Sequence, residues 1–217
     1  MKAIAHIKTD FNEKFGIPRQ SGLVKEAQGK IIFENEYRLP DAFKGIEDFN
    51  YIWLIWEFSK AKRDNFSATV KPPRLGGNER MGVFATRSPF RPNNIGLSSV
   101  KLDKFEIDEK DGPVLYVSGV DLLDGTPIFD IKPYIPYADC HLDASAGFTS
   151  IEKKRLNVRF DDELLKLLPE NKRDAVIGIL KEDPRPGYQN DSSRRYGVSY
   201  AGYDIRFYVD GDDLNVV

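Results

Sequence analysis

Apolar and polar residues alternate from residue 3 to residue 8, the two-residue period of a half-buried strand, and this is the first element the chain predicts. Residues 30–33 read as another short β stretch, and residues 39–49 as a turn with at most a short helix. The run Tyr51-Ile52-Trp53-Leu54-Ile55-Trp56-Glu57-Phe58 is aromatic, β-branched and almost unbroken, which predicts a central strand apolar on both faces. Its two tryptophans have the shape of a base-stacking platform, but flanked by Ile and Leu they read better as packing residues. A short strand is expected over residues 81–86 and a long one from Ile95 to Ile107. Within the long one, Phe105 and Ile107 fall out of phase with Val100 and Leu102, so a bulge is expected near Lys104. Glu109-Lys110-Asp111-Gly112 then turns the chain into a return strand over residues 114–120, and Ile128, Phe129 and Ile131 mark a further core strand. No amphipathic helix interrupts these strands, which disfavours a parallel α/β sheet and predicts a mainly β fold, an antiparallel barrel or sandwich.

The pattern changes after Gly147. Residues 151–160 look extended, Asp161 is placed to cap a helix over 162–168, and Pro169 ends it. A second helix is expected from Glu170 to Lys181, with Ala175, Val176, Ile179 and Leu180 as its apolar stripe. Strands follow over 196–200 and 203–209, and a turn at Asp210-Gly211-Asp212-Asp213 gives a closing strand to Val217. The expected organisation is a β-barrel domain over residues 1–147 and a small α+β domain over 148–217, too short to stand comfortably alone and therefore docked on the main body or on a partner.

Composition narrows the chemistry. A net charge of -2 argues against a sequence-blind nucleic-acid coat but leaves room for local basic patches. The single cysteine, Cys140, excludes an intrachain disulfide and a thiolate zinc cluster, and two histidines offer little for a Ser-His-Asp centre or a multi-histidine metal site. The first residues lack the apolar core of a signal peptide and no apolar run reaches membrane-spanning length, so a cytoplasmic location without membrane partners is expected. There is no glycine fingerprint for a dinucleotide and no P-loop.

The densest chemistry lies in Arg87-Ser88-Pro89-Phe90-Arg91-Pro92-Asn93-Asn94-Ile95-Gly96. Each proline fixes φ and biases its predecessor out of the helical region, so this is a stiff loop holding two guanidinium groups. Such a loop suits the gripping of a carboxylate, a phosphate or a nucleotide, the plain alternative being a connector with solvated arginines. Similar Pro/Arg loops occur at Pro18-Arg19-Gln20, Pro72-Pro73-Arg74 and Asp183-Pro184-Arg185-Pro186-Gly187-Tyr188. A sharp acidic turn, Asp121-Leu122-Leu123-Asp124-Gly125-Thr126-Pro127, precedes a stretch in which Asp130, Lys132 and Tyr134 share one alternating face and could point into a cleft.

Taken together, residues 82–93, 121–127 with Asp130-Ile131-Lys132-Pro133-Tyr134, and 183–188 resemble the bacterial tRNA methyltransferases that act on N6 of threonylcarbamoyladenosine beside the anticodon. The likeness extends to Pro18-Arg19-Gln20 and to residues 72–78 and so covers nearly the whole chain. It implies an S-adenosylmethionine-dependent enzyme with a β-barrel core, a homodimer with its cofactor pocket near the subunit interface, and a C-terminal domain that helps engage tRNA. The cofactor residues it implies are Pro18, Arg19, Gln20, Ser59, Lys60, Arg87, Arg91, Asn93, Asp124, Gly125, Thr126 and Pro127. Asn94 stands where that family usually has Pro, and the loss of one φ lock is expected to loosen the loop. The residues fit the cofactor in kind: Arg87 or Arg91 for its carboxylate, Asp124 and the following backbone for its ammonium and ribose. Asp130, Tyr134 and Tyr137 are the candidates to assist the weakly nucleophilic N6. Lys60, Lys62, Arg63, Lys71, Arg74, Arg185, Arg194 and Arg195 are the candidate phosphate contacts. A small-molecule methyltransferase and a non-catalytic RNA-binding module that keeps the pocket remain open alternatives.

Overall fold

The computed structural model describes residues 1–61, 65–151, 154–186 and 191–217. Six strands close into an antiparallel barrel: β1 (Ala5–Thr9), β2 (Gln28–Phe33), β3 (Tyr51–Glu57), β6 (Ile95–Asp108), β7 (Gly112–Ser118) and β8 (Pro127–Pro133), in the order β1-β2-β7-β6-β3-β8. Between β3 and β6 a two-stranded ribbon is formed by β4 (Thr69–Val70) and β5 (Met81–Gly82). Inside the barrel, Ile7, Ile31, Ile52, Leu54, Trp56, Val100, Leu115 and Ile128 are buried, one residue in two along most strands, as the pleat dictates.

Strand direction fixes which loops meet. Because neighbours run antiparallel, the ends of β1, β3 and β7 and the starts of β2, β6 and β8 share one rim of the barrel. Onto that rim fall the connections 10–27, 58–94 and 119–126, which hold Gln20, Arg87 and Asp124. The opposite rim carries residues 34–50, the hairpin at 109–111 and the chain leaving β8 at Tyr134.

The bulge expected near Lys104 is present: the β6–β7 register shifts between Leu102 and Lys104. Two expectations need correction. β3 is not buried on both faces, since Ile52, Leu54 and Trp56 face the interior while Tyr51 is 43% exposed and Trp53 and Ile55 are half-buried. A small closed barrel has one interior, so the second apolar face of its strand is left outside. Residues 81–86 form only the two-residue β5 and then a 3₁₀ turn over Val83–Ala85, where Thr86 closes back on Val83 O.

Downstream lie α1 (Pro136–Asp139), β9 (Asn157–Arg159), α2 (Asp162–Lys166), α3 (Glu170–Lys181), β10 (Tyr196–Tyr200), β11 (Tyr203–Asp210) and β12 (Asp213–Val216). Asp161 caps α2 as expected, its Oδ1 accepting from the Glu163 and Leu164 amides at 2.8 and 3.4 Å. The sheet runs β10-β11-β12-β9, with β12 and β9 parallel; of the extended stretch predicted over 151–160, residues 152 and 153 lie outside the described residues and the strand among the rest is β9. The predicted stripe of α3, Ala175, Val176, Ile179 and Leu180, is buried. This unit docks on the barrel, and one apolar cluster runs through both. Phe11 meets Tyr200 edge-on at 5.1 Å, Lys172 reaches Asp10 at 2.6 Å, and Val198 packs directly on Gly16.

Candidate active site

The Arg87 loop braces itself. Thr86 Oγ1 accepts from the Ser88 amide, Ser88 Oγ from the Phe90 amide, and Arg91 Nη1 donates to the carbonyls of Val83 and Thr86 at 3.0 and 2.6 Å. Asn94 Nδ2 donates to Pro89 O at 2.6 Å, and Asn94 O takes the Phe58 amide. The expected loosening at Asn94 is therefore offset: a side-chain hydrogen bond closes the loop where proline would have fixed φ. With Arg91 turned onto its own loop and over the Phe84 ring, Arg87 is the exposed guanidinium that crosses the rim, where Nη1 donates to Gln20 Oε1.

Asp124 is held from below. Its Oδ1 accepts the Thr9 amide at 3.0 Å, its own amide donates to Phe11 O, and the Gly125 amide donates to Ile7 O. Gly125 has φ +75°, a conformation that favours glycine. Thr126 is buried and bonds Leu123 O through its hydroxyl. This clamp ties the turn to β1, and Asp124 Oδ2 lies 3.7 Å from Lys8 Nζ. Ser59 and Lys60 follow β3 on the same rim, where Lys14 donates to Lys60 O. Asn93 O accepts the Ile95 amide. Pro18 is buried, while Arg19 turns away from the rim toward the C-terminal unit, donating to Arg185 O at 3.4 Å.

The three candidates for assisting N6 are not brought to this rim within one chain. Asp130 lies midway along β8, ion-paired outward with Lys132 at 3.0 Å. Tyr134 follows the far end of β8, roughly 20 Å from Pro127 at the rise of an extended strand. There it packs on Trp53 at 5.6 Å, and burial, with Cys140 and Asp139 adding to it, raises its phenol further above neutral. Tyr137 is 92% exposed on α1. Trp53 Nε1 and the Ile135 amide both donate to Asp139 Oδ2, holding its carboxyl below the usual range.

Of the phosphate candidates, Lys60, Lys71, Arg194 and Arg195 are exposed, with Arg194 over the Tyr196 ring. Arg74 is exposed but anchored on Ile151 O. Arg185 is a correction: it is 8% exposed and forks onto both oxygens of Asp183 at 2.9 and 3.0 Å, so it orders its own loop. Lys62, Arg63 and the Gly187-Tyr188 end of the fourth Pro/Arg loop lie outside the described residues.

Sequence reasoning missed one group. Asp121, bracketed by Val120 and Leu122, accepts from Ser98 Oγ at 2.6 Å, and Ser98 Oγ accepts from Trp56 Nε1 at 3.0 Å. The Ser21 amide also reaches Asp121, and burial raises its pKa to about 6 against the opposing pull of these bonds and of Arg87. The clue in the sequence is an acid set inside an apolar run.

Arg87 and Asp124 place a cation and an anion on one rim. Among the described residues, a concavity of about 140 Å³ beside the Arg87 loop is lined by Phe66, Phe90, Arg91, Pro92 and Asn94, and it is smaller than the roughly 300–1,000 Å³ of a ligand pocket. A larger groove, about 490 Å³, lies on the flank between β1, β2, β7 and α3 and contains none of the expected cofactor residues.

The chain matches the family model of the tRNA-methyltransferase O N-terminal domain over residues 6–140 and that of the TrmO C-terminal domain over 153–217. It is 41% identical to a tRNA (adenine(37)-N6)-methyltransferase of Escherichia coli K12, covering 95% of this chain and 91% of that one. It is 38% identical to a putative S-adenosylmethionine-dependent methyltransferase, RcsF, of Pseudomonas aeruginosa, covering 97% and 93%. A crystal structure of TrmO from Pseudomonas aeruginosa superposes with a TM-score of 0.78 at 34% identity, covering 99% of this chain and 95% of that one. Fold and site thus define a β-barrel methyltransferase that uses S-adenosylmethionine. Within that class, the chain belongs to the tRNA-methyltransferase O family.

Proposed function

We propose that this protein methylates N6 of threonylcarbamoyladenosine at position 37 of tRNA, and that it does so as a homodimer. The observation that carries the reading is the convergence of Gln20, Arg87 and the Asp124 turn on one rim, with Arg91 consumed in bracing the loop that presents Arg87. The name of the Escherichia coli relative supports adenine 37 as the acceptor. Arg87 takes the cofactor carboxylate, and the Asp124 turn with the Gly125-Thr126-Pro127 backbone takes the ammonium and ribose. The bound cofactor would supply an activated methyl group by an in-line displacement with no covalent intermediate on the protein: the bond to N6 would form as the methyl–sulfur bond breaks, the neutral thioether leaving and the N6 proton passing to solvent. This chain's residues contribute by fixing the two reactants and by excluding water.

The small size of the concavity beside the Arg87 loop and the distance to Tyr134 both support a dimer. The outward row of β3 and β6 carries an apolar patch: Ile55 and Leu97 are register partners, with Leu97 52% and Ile95 36% exposed, between Glu57 at one end and Ser99 and Lys101 at the other. Covering that row with a second copy buries the face that a lone barrel leaves in water, and would let Tyr134 and Tyr137 of that copy approach the rim. A raised Tyr134 phenol stays protonated at neutral pH, so its role there is to orient N6 by hydrogen bonding.

The test is calorimetric titration of S-adenosylmethionine into the full chain and into Arg87→Ala and Arg91→Ala. Binding by the parent, lost in Arg87→Ala without loss of fold, is expected. No heat from the parent up to millimolar cofactor would overturn the cofactor site.

A further inference from the structure

Asp121 has no part in the cofactor assignments above, yet it joins the barrel interior to two loops of the rim. From inside, Ser98 on β6 donates to its Oδ1, and Ser98 is itself set by the indole N–H of Trp56 on β3. Ser98 and Trp56 are 1% and 5% exposed, and a Cβ at Gly96 would lie 2.2 Å from the indole, so neither donor has room to wander. On the rim side, the Ser21 amide bonds the same carboxylate, while Gln20, one residue earlier, bonds Arg87, whose charge acts on Asp121 from beyond contact distance. We infer that Asp121 is a positioning residue for cofactor binding: anchored on Ser98, it holds Ser21 in place and, through the adjacent Gln20, sets where Arg87 stands on the rim.

The inference rests on the reading of Arg87 as a cofactor ligand. Its signature is a pH dependence. Among the described residues, the groups that act on Asp121 are the Ser98 hydroxyl, its own amide and that of Ser21, and, as the one charge, Arg87. Burial brings the titration of Asp121 to about 6, so the charge that holds the Ser21 amide disappears as pH falls through that value. A purely structural carboxylate would behave differently. Burial makes the folded chain hold this proton more tightly than the unfolded chain, so an uncharged replacement leaves stability at neutral pH unharmed. Arg87, being exposed, is not left as a buried unpaired charge.

The experiment is titration of S-adenosylmethionine between pH 5.5 and 8 into the full chain, Asp121→Asn and Ser98→Ala, with melting temperatures recorded in parallel. For the parent, Kd is expected to rise roughly tenfold as pH falls through about 6, the weakening of the charge-assisted bond by which Asp121 holds the Ser21 amide. Asp121→Asn should show the raised Kd already at pH 7.5, with no pH dependence and a melting temperature at or above the parent's. Ser98→Ala, which removes a bond that favours the ionised form, should move the midpoint to higher pH. A variant Asp121→Asn that binds like the parent with the same pH profile, or that loses binding only together with its fold, overturns the inference. Absence of binding by the parent at every pH overturns the cofactor reading as well, and is thereby distinguished from failure of the inference alone.

Discussion

At the scale of single residues, two arginines four apart in one loop have opposite fates, and the difference lies in backbone carbonyls. Arg91 is spent on Val83 and Thr86, while Arg87 reaches Gln20. Sequence could place both in a stiff loop but could not separate them, because the turn over Val83–Ala85 that aims those carbonyls was read as strand. Asn94 makes the same point. Its identity pointed to a looser loop, and only its Nδ2 contact with Pro89 O shows how the loop is closed. Asn94→Ala is therefore expected to lower stability by about 1 kcal/mol in urea unfolding and to weaken cofactor binding, through loss of one hydrogen bond. No change in either would show that the loop is held by its prolines alone. Asp121 contributes to stability in the sense opposite to an ordinary ion-paired acid. Its contribution is present at low pH and lost as pH rises through about 6, so Asp121→Asn should be as stable as the parent at pH 7.5 or more so.

At the scale of elements, alternation was the informative signal. The strands, the bulge beside Lys104, the Asp161 cap and the buried stripe of α3 all follow from the two-residue and 3.6-residue periods. What periodicity could not give was the face each residue finds. Tyr51 to Phe58 is apolar on both faces, which reads as a strand buried on both sides, but closure into a barrel sends Trp53 and Ile55 outward. Nor could it show that Gly96 and Trp56 are register partners, with the indole lying where a side chain at Gly96 would begin. Gly96→Ala is expected to lower stability by roughly 3 kcal/mol through overpacking, and to displace Trp56 from Ser98. Indole fluorescence and denaturant unfolding would report both, and an unperturbed variant would contradict the packing described for this corner.

At the scale of the whole molecule, the rim follows from topology. Three loops distant in sequence meet because β1, β3 and β7 end where β6 and β8 begin. The motifs were legible in the sequence, but their partition between two rims was not, because it depends on the direction in which each strand is paired. That partition is why Gln20, Arg87 and Asp124 assemble within one chain while Tyr134 and Tyr137 do not. The expected small C-terminal unit is present, and its core is continuous with that of the barrel through Phe11, Val198 and Tyr200. Thermal unfolding is accordingly expected as one cooperative transition, with calorimetric and van't Hoff enthalpies in agreement. Two separated transitions would mean that the shared core contributes little.

The central claim is the acceptor, and labelled methyl transfer tests it most directly. The full chain would be given S-adenosylmethionine and two tRNA pools, one carrying threonylcarbamoyladenosine at position 37 and one lacking that modification, with Arg87→Ala as control. The account predicts label at N6 of residue 37 in the modified pool alone, and little or none with Arg87→Ala. Equal labelling of both pools, or label at any other position, would contradict it.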